Sequence, residues 1–140
     1  ACDNGCMELP ESVKKSRRGV MMTYRASGGL QSSVITSVAD AANGRILIWS
    51  RAMTAKTYNL ARNPRASLCI VGDNWQGWAH LDGSVEIVRL PEAMPLLEEY
   101  HRLREGADHP DWPAYRRRMQ EEERVLFRFT PERIVNPSGR

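Results

Sequence analysis

A chain of 140 residues with 41% hydrophobic and 26% charged side chains has the size and balance of one globular domain, which excludes a disordered or fibrous protein. No apolar run is long enough for a bilayer-spanning helix and no stretch reads as a secretory signal, so the sequence predicts no membrane association and, by default, a cytoplasmic location. The net charge of +3 suits an anionic partner, but the basic residues are dispersed and interleaved with glutamates, which argues against nucleic acid.

The first segment, residues 1–16, lacks periodicity and is expected to be flexible or a single short helix ahead of a domain spanning 17–140. Met7 is a candidate native start. The three cysteines, Cys2, Cys6 and Cys69, form no disulfide framework, and Cys69, inside an apolar strand, is expected to be a buried small hydrophobe. Gly19 to Arg25 reads as a strand, Ser27-Gly28-Gly29 as a turn, and Leu30 to Asp40 as the returning strand of a hairpin. Asn43-Gly44 is a hairpin signal leading into a third strand, Arg45 to Trp49.

The stretch after that strand is the most informative in the chain. Arg51 to Thr54 is a short connection, Thr54 can cap a helix, and the helix runs through Lys56 to Arg62 before Asn63-Pro64 stops it. A helix N-terminus offers unpaired N–H groups and the positive end of the dipole, where a lysine is disfavoured unless an anion sits beside it. Ser50, Arg51, Thr54 and Lys56 therefore form a candidate phosphate turn, and an ordinary basic surface turn is the competing reading.

Farther along, Ala66 to Asp73 reads as a fourth strand, Asn74 to Gly77 as a loop, and Trp78 to Arg89 as a fifth strand bent at Gly83. Pro91 is expected to start a helix ending near Arg104, with Met94, Leu97, Tyr100, His101 and Leu103 on one face. Asp108 to Pro113 reads as a polar loop, Ala114 to Glu123 as a second amphipathic helix, Val125 to Phe129 as a sixth strand, and Thr130 to Val135 as a tail. Six strands with short turns, one crossing helix and one helical pair point to a mainly β, six-stranded antiparallel barrel with peripheral helices.

Conventional catalytic constellations are absent. His80, His101 and His109 have no metal-site spacing, Ser32 and Ser33 lack a nucleophile elbow, and neither a P-loop nor a dinucleotide fingerprint occurs. Gln31, Ser33 and Ile35 share one strand face, able to meet the edge of a planar heterocycle or simply to form an exposed polar face. Trp75 and Trp78 suit packing as well as a cofactor rim.

Arg18-Gly-Val-Met-Met-Thr-Tyr, Leu30-Gln-Ser-Ser-Val, Lys56-Thr-Tyr-Asn-Leu-Ala-Arg-Asn-Pro-Arg-Ala-Ser-Leu and His109-Pro-Asp-Trp-Pro-Ala-Tyr together resemble the pyridoxamine 5′-phosphate oxidase-like split β-barrel family. Within it the chain is most similar to the branch using the deazaflavin coenzyme F-420. The resemblance implies an FMN-binding type of split barrel and a homodimer with cofactor sites at the interface. It also implies that Ser50 to Asn59 holds the phosphate, that the Gln31 to Thr36 strand lies along the ring system, and that Trp78 reaches in from the partner chain. Ala55 stands where the family commonly has arginine, with Arg51 as a substitute charge. The implied activity is hydride transfer between reduced coenzyme F-420 and an unsaturated organic substrate, with no side chain required as a catalytic acid. An FMN-dependent oxidase-like enzyme and a non-catalytic cofactor or haem binder are the alternatives. Arg51, Lys56, Arg62 and the Lys14 to Arg18 run are expected to line a path for the anionic deazaflavin tail.

Overall fold

The computed structural model describes residues 7–72 and 75–137. Cys2, Cys6, the expected strand end at Asp73 and the loop residue Asn74 lie outside the described residues. Six strands, β1 (Arg18–Tyr24), β2 (Leu30–Asp40), β3 (Arg45–Arg51), β4 (Arg65–Val71), β5 (Trp78–Val88) and β6 (Arg124–Val135), close into a barrel in the order β1-β2-β3-β6-β5-β4. Neighbouring strands are antiparallel throughout. Among the described residues four α-helices surround the barrel: α1 (Glu11–Lys15), α2 (Ala55–Arg62), α3 (Met94–Glu105) and α4 (Trp112–Glu121).

Alternation explains β4, where Ala66, Leu68 and Ile70 are buried inside the barrel and Arg65, Ser67, Cys69 and Val71 face outward. β3 breaks the alternation because both its faces are covered. Ile46 and Ile48 enter the barrel core with Phe127 and Phe129, while Leu47 packs outward with Leu126 against Leu97, Tyr100, Tyr115 and Met119 of the helical pair. That double burial is why the third strand reads as a continuous apolar run. Leu9, ahead of α1, and Val13 within it are both buried in the barrel core, so the segment ahead of residue 17 contributes to packing.

The structure corrects several expectations. Cys69 is only half-buried because it falls on the outward phase of β4. α3 begins at Met94 with Pro95 in its first turn, whereas Pro91 sits in the preceding turn after a cis Leu90–Pro91 bond. Leu103 is 37% exposed, since the helix buries Leu97, Tyr100 and His101 instead. Asp111 caps α4 by accepting the Ala114 N–H at 3.1 Å, so the helix starts at Trp112 and uses Pro113 in its first turn. The tail continues β6 to Val135, passing a register shift at Asp82/Gly83 that lets Pro131 sit opposite Gly83. A Cβ on Gly83 would run into the Thr130 carbonyl oxygen, so the bulge needs glycine at this close approach.

Candidate cofactor site

β3 delivers Ser50 and Arg51 to the start of α2, and hydroxyl-linked residues shape the turn between them. Thr57 Oγ1 donates to the Arg51 carbonyl at 2.8 Å and lies 2.9 Å from Thr54 Oγ1, which is 3.3 Å from Ser50 Oγ. Thr54 caps the helix by accepting the Thr57 N–H at 3.4 Å. Ala52 N–H donates to the Glu123 carbonyl at 2.8 Å, tying the turn to the start of β6. Among the described residues, the N–H groups of Ala55 and Lys56 meet no protein acceptor, so the first turn of α2 keeps free donors at its positive end.

A groove of about 280 Å³ opens over this turn, lined by Val34, Ile35, Thr36, Trp49, Ser50, Arg51, Thr54, Lys56 and Arg124. Three of those residues are cations. Arg51 and Arg124 are direct cross-strand partners, a like-charge pairing that costs stability. Arg124 is held by Glu122 at 2.9 Å and lies 4.0 Å over the Trp49 ring. Neither Arg51 nor Lys56 has a carboxylate partner among the described residues. Burial, and then the neighbouring Arg124 charge, push the Lys56 ammonium below its ordinary value. This concentration of positive charge with free backbone donors fits an anion, and phosphate in particular.

Five of the residues singled out from the sequence, Ile35, Ser50, Arg51, Thr54 and Lys56, thus meet around one groove. Gln31 and Ser33 lie farther along the same phase of β2, outside it, with the Gln31 amide donating to the Ser32 carbonyl at 3.1 Å. Asn59 is buried and faces the barrel, donating to Thr23 Oγ1 at 3.1 Å and accepting from Arg62 Nη2 at 2.6 Å. Trp78, 41% exposed, stands opposite Val71 at the start of β5 and does not line the groove of its own chain.

Sequence reasoning missed Arg124 and Trp49. The only signal for Arg124 is its pairing with Arg51, which appears once β3 and β6 are adjacent. The expected basic path is also thinner than anticipated: Arg62 is engaged with Asn59 and the Tyr24 carbonyl, and Lys14 with Glu8 and Glu11. Arg18 lines a second groove of about 330 Å³, with Val20, Val34, Val71 and Trp75, which shares residues 34–36 with the first. Among the described residues no cluster of three or more His, Cys, Asp or Glu side chains can hold a metal, and no helix is long and apolar enough to cross a membrane.

The pyridoxamine 5′-phosphate oxidase family profile matches residues 8–136. The chain belongs to that family. Solved structures of the same fold include a conserved hypothetical protein of Mycobacterium tuberculosis, 24% identical over 97% of this chain and 89% of the other, with a TM-score of 0.70. An F-420 reductase is 20% identical over 90% of this chain and 98% of its own, with a TM-score of 0.66. A pyridoxamine 5′-phosphate oxidase-related, FMN-binding protein of Nostoc punctiforme is 15% identical over 86% and 73%, with a TM-score of 0.60. At these identities the feature shared with the solved structures is the fold.

Proposed function

We propose that this protein is an oxidoreductase holding coenzyme F-420, with the cofactor phosphate in the groove of Ser50, Arg51, Thr54, Lys56 and Arg124. The carrying observation is that groove: free helix N-terminal donors, and two cations without carboxylate partners among the described residues, beside a third that opposes Arg51 directly. When bound, a deazaflavin supplies the hydride chemistry, to or from an unsaturated organic substrate. The chain's own residues anchor, orient and shield. Ser50 and Thr54 hydroxyls and the Ala55 and Lys56 amides satisfy phosphate oxygens, Lys56 and Arg51 neutralise their charge, and the Gln31, Ser33 and Ile35 phase of β2 supports the ring. The enzyme is proposed to act as a homodimer in which the partner's Trp78 covers the site. Val34 and Trp75, 85% and 86% exposed beside the second groove, support that reading as apolar surface awaiting cover.

The family's FMN-dependent members supply the second reading, favoured by one observation: Arg62 and Lys14 are already engaged, which leaves less free charge for a long anionic tail. Paired calorimetric titrations of the apo-protein with coenzyme F-420 and with FMN, at low and high salt, separate the two. Tighter deazaflavin binding whose margin shrinks with salt is the expected result; tighter FMN binding at both salts replaces the deazaflavin with FMN. Sedimentation at micromolar concentration should give about twice the 15.9 kDa chain mass. A monomer would remove Trp78 from the site.

A further inference from the structure

Arg124 stands directly opposite Arg51 across β3 and β6, and like charges so placed repel. A long, freely rotating side chain would relieve that repulsion by swinging into solvent. Arg124 does not, since its side chain is only 13% exposed. Two neighbours hold it. Glu122 accepts the Arg124 Nε–H at 2.9 Å, and the guanidinium carbon lies 4.0 Å over the Trp49 ring. Trp49 precedes Arg51 by two residues on the same phase of β3, which makes it the diagonal neighbour that a long side chain at position 124 can reach. The indole is itself fixed, stacked on Tyr100 at 5.4 Å and 25°.

The backbone supports the same placement. Glu122 is the C-cap residue of α4, and Glu123 turns the chain with a φ of +51°, a left-handed conformation uncommon for a residue with a side chain. The Glu123 carbonyl accepts the Ala52 N–H at 2.8 Å, so the segment carrying Arg124 is pinned to the phosphate turn. Glu122 also accepts from Arg118 Nε at 3.0 Å, which fixes its carboxylate from the other side. Nε is the one Arg124 nitrogen with a hydrogen-bond partner among the described residues. The Nη edge is therefore left for a ligand, and that planar edge matches two oxygens of a phosphate.

We propose that Glu122 and Trp49 are positioning residues that hold the Arg124 guanidinium in its phosphate-binding geometry before the cofactor arrives. The proposal rests on the reading that this groove takes the cofactor phosphate. Without its two neighbours Arg124 leaves Arg51 for solvent, and binding has to order it again, which costs roughly twofold to tenfold in affinity for one long side chain. Charge alone gives the opposite sign for Glu122. Removing a carboxylate from the edge of a cationic groove strengthens the attraction for an anion, so a weaker anion affinity in its absence is the mark of positioning.

The test titrates coenzyme F-420 and FMN into wild type, Glu122→Ala, Trp49→Phe and Trp49→Leu by calorimetry. Glu122→Ala and Trp49→Leu should each weaken the cofactor that wild type binds by roughly twofold to tenfold. Trp49→Phe keeps an aromatic face under the guanidinium and should bind more tightly than Trp49→Leu. Unchanged or tighter binding by Glu122→Ala, or equal affinity of the Phe and Leu variants, overturns the positioning role. A second readout needs no cofactor. In ¹H–¹⁵N spectra of the arginine Nε–H groups of the apo-protein, the signal missing from Arg124→Lys should be shifted upfield by the indole ring current and should lose that shift in Trp49→Leu. An unshifted Arg124 signal overturns the proposal. A wild type that binds neither cofactor overturns the phosphate reading instead, and the apo-protein spectrum then still decides whether Arg124 is held.

Discussion

Two regions packed near Trp49 handle arginine and lysine in opposite ways. In the helical pair each of several cations meets a carboxylate: Arg102 with Asp108 at 2.7 Å, Arg116 with Glu98 at 3.1 Å and Arg118 with Glu122 at 3.0 Å. Its buried side is aromatic, with His101, His109, Trp112 and Tyr115 rings 5.0–5.8 Å apart and the Tyr115 hydroxyl donating to the Leu97 carbonyl at 2.7 Å. At the turn before α2, by contrast, Arg51 and Lys56 face a groove with no carboxylate partner and with Arg124 beside them. Charge that is internally neutralised serves packing; charge left uncompensated at a helix N-terminus is configured for something that binds.

The largest effect expected from breaking this contrast lies in the helical pair. Leu97 is fully buried between α3, α4 and the outer side of the barrel, so Leu97→Ala should cost about 2–5 kcal/mol of stability by leaving a cavity. Urea unfolding measures it, and anion affinity at the groove should be unchanged in the folded protein. Loss of affinity with little loss of stability would mean the regions are coupled.

The groove should show the reverse pattern. A charge-assisted bond from Lys56 contributes about 1.5–3 kcal/mol to holding a phosphate, so Lys56→Ala should weaken cofactor binding about tenfold to a hundredfold. The melting temperature of the apo-protein should stay level or rise, because the substitution removes a partly buried cation beside Arg124. Unchanged affinity in titration would reduce the turn to a surface loop.

The smallest effect is a pH dependence confined to the helical pair. Burial, then the nearby His109 and Arg104 charges, lower the His101 imidazole below its ordinary 6.5, and its Nδ1 is buried without a partner among the described residues. Glu105 opposes that shift, and Arg102 adds to it. The unfolded chain therefore binds the proton more readily. The contribution of His101 is fully present above pH 6.5 and is lost as pH falls through the lowered folded value. Stability of wild type and His101→Phe compared at neutral and mildly acidic pH should diverge as the pH drops, the wild type losing more. Parallel curves would assign the acid sensitivity to another group.

Local chemistry made most of the elements legible. The Thr54 cap, the Asn63-Pro64 stop, the Asn43-Gly44 turn and the apolar runs of β3 and β6 each act within a few residues, so the chain itself encodes them. The same locality exposed half the candidate site, since Ser50 to Lys56 is one contiguous stretch carrying a lysine where the helix dipole disfavours it. What stayed hidden depends on which strands become neighbours. Arg124 joins the groove through pairing with Arg51, and Ser67 meets Asp82 through the β4–β5 register. The inward or outward phase of a strand is likewise set by tertiary packing, which turned Cys69 outward and engaged Arg62 with the Tyr24 carbonyl instead of the groove. Barrel closure and register bring together residues far apart in sequence, and no local propensity reports such contacts.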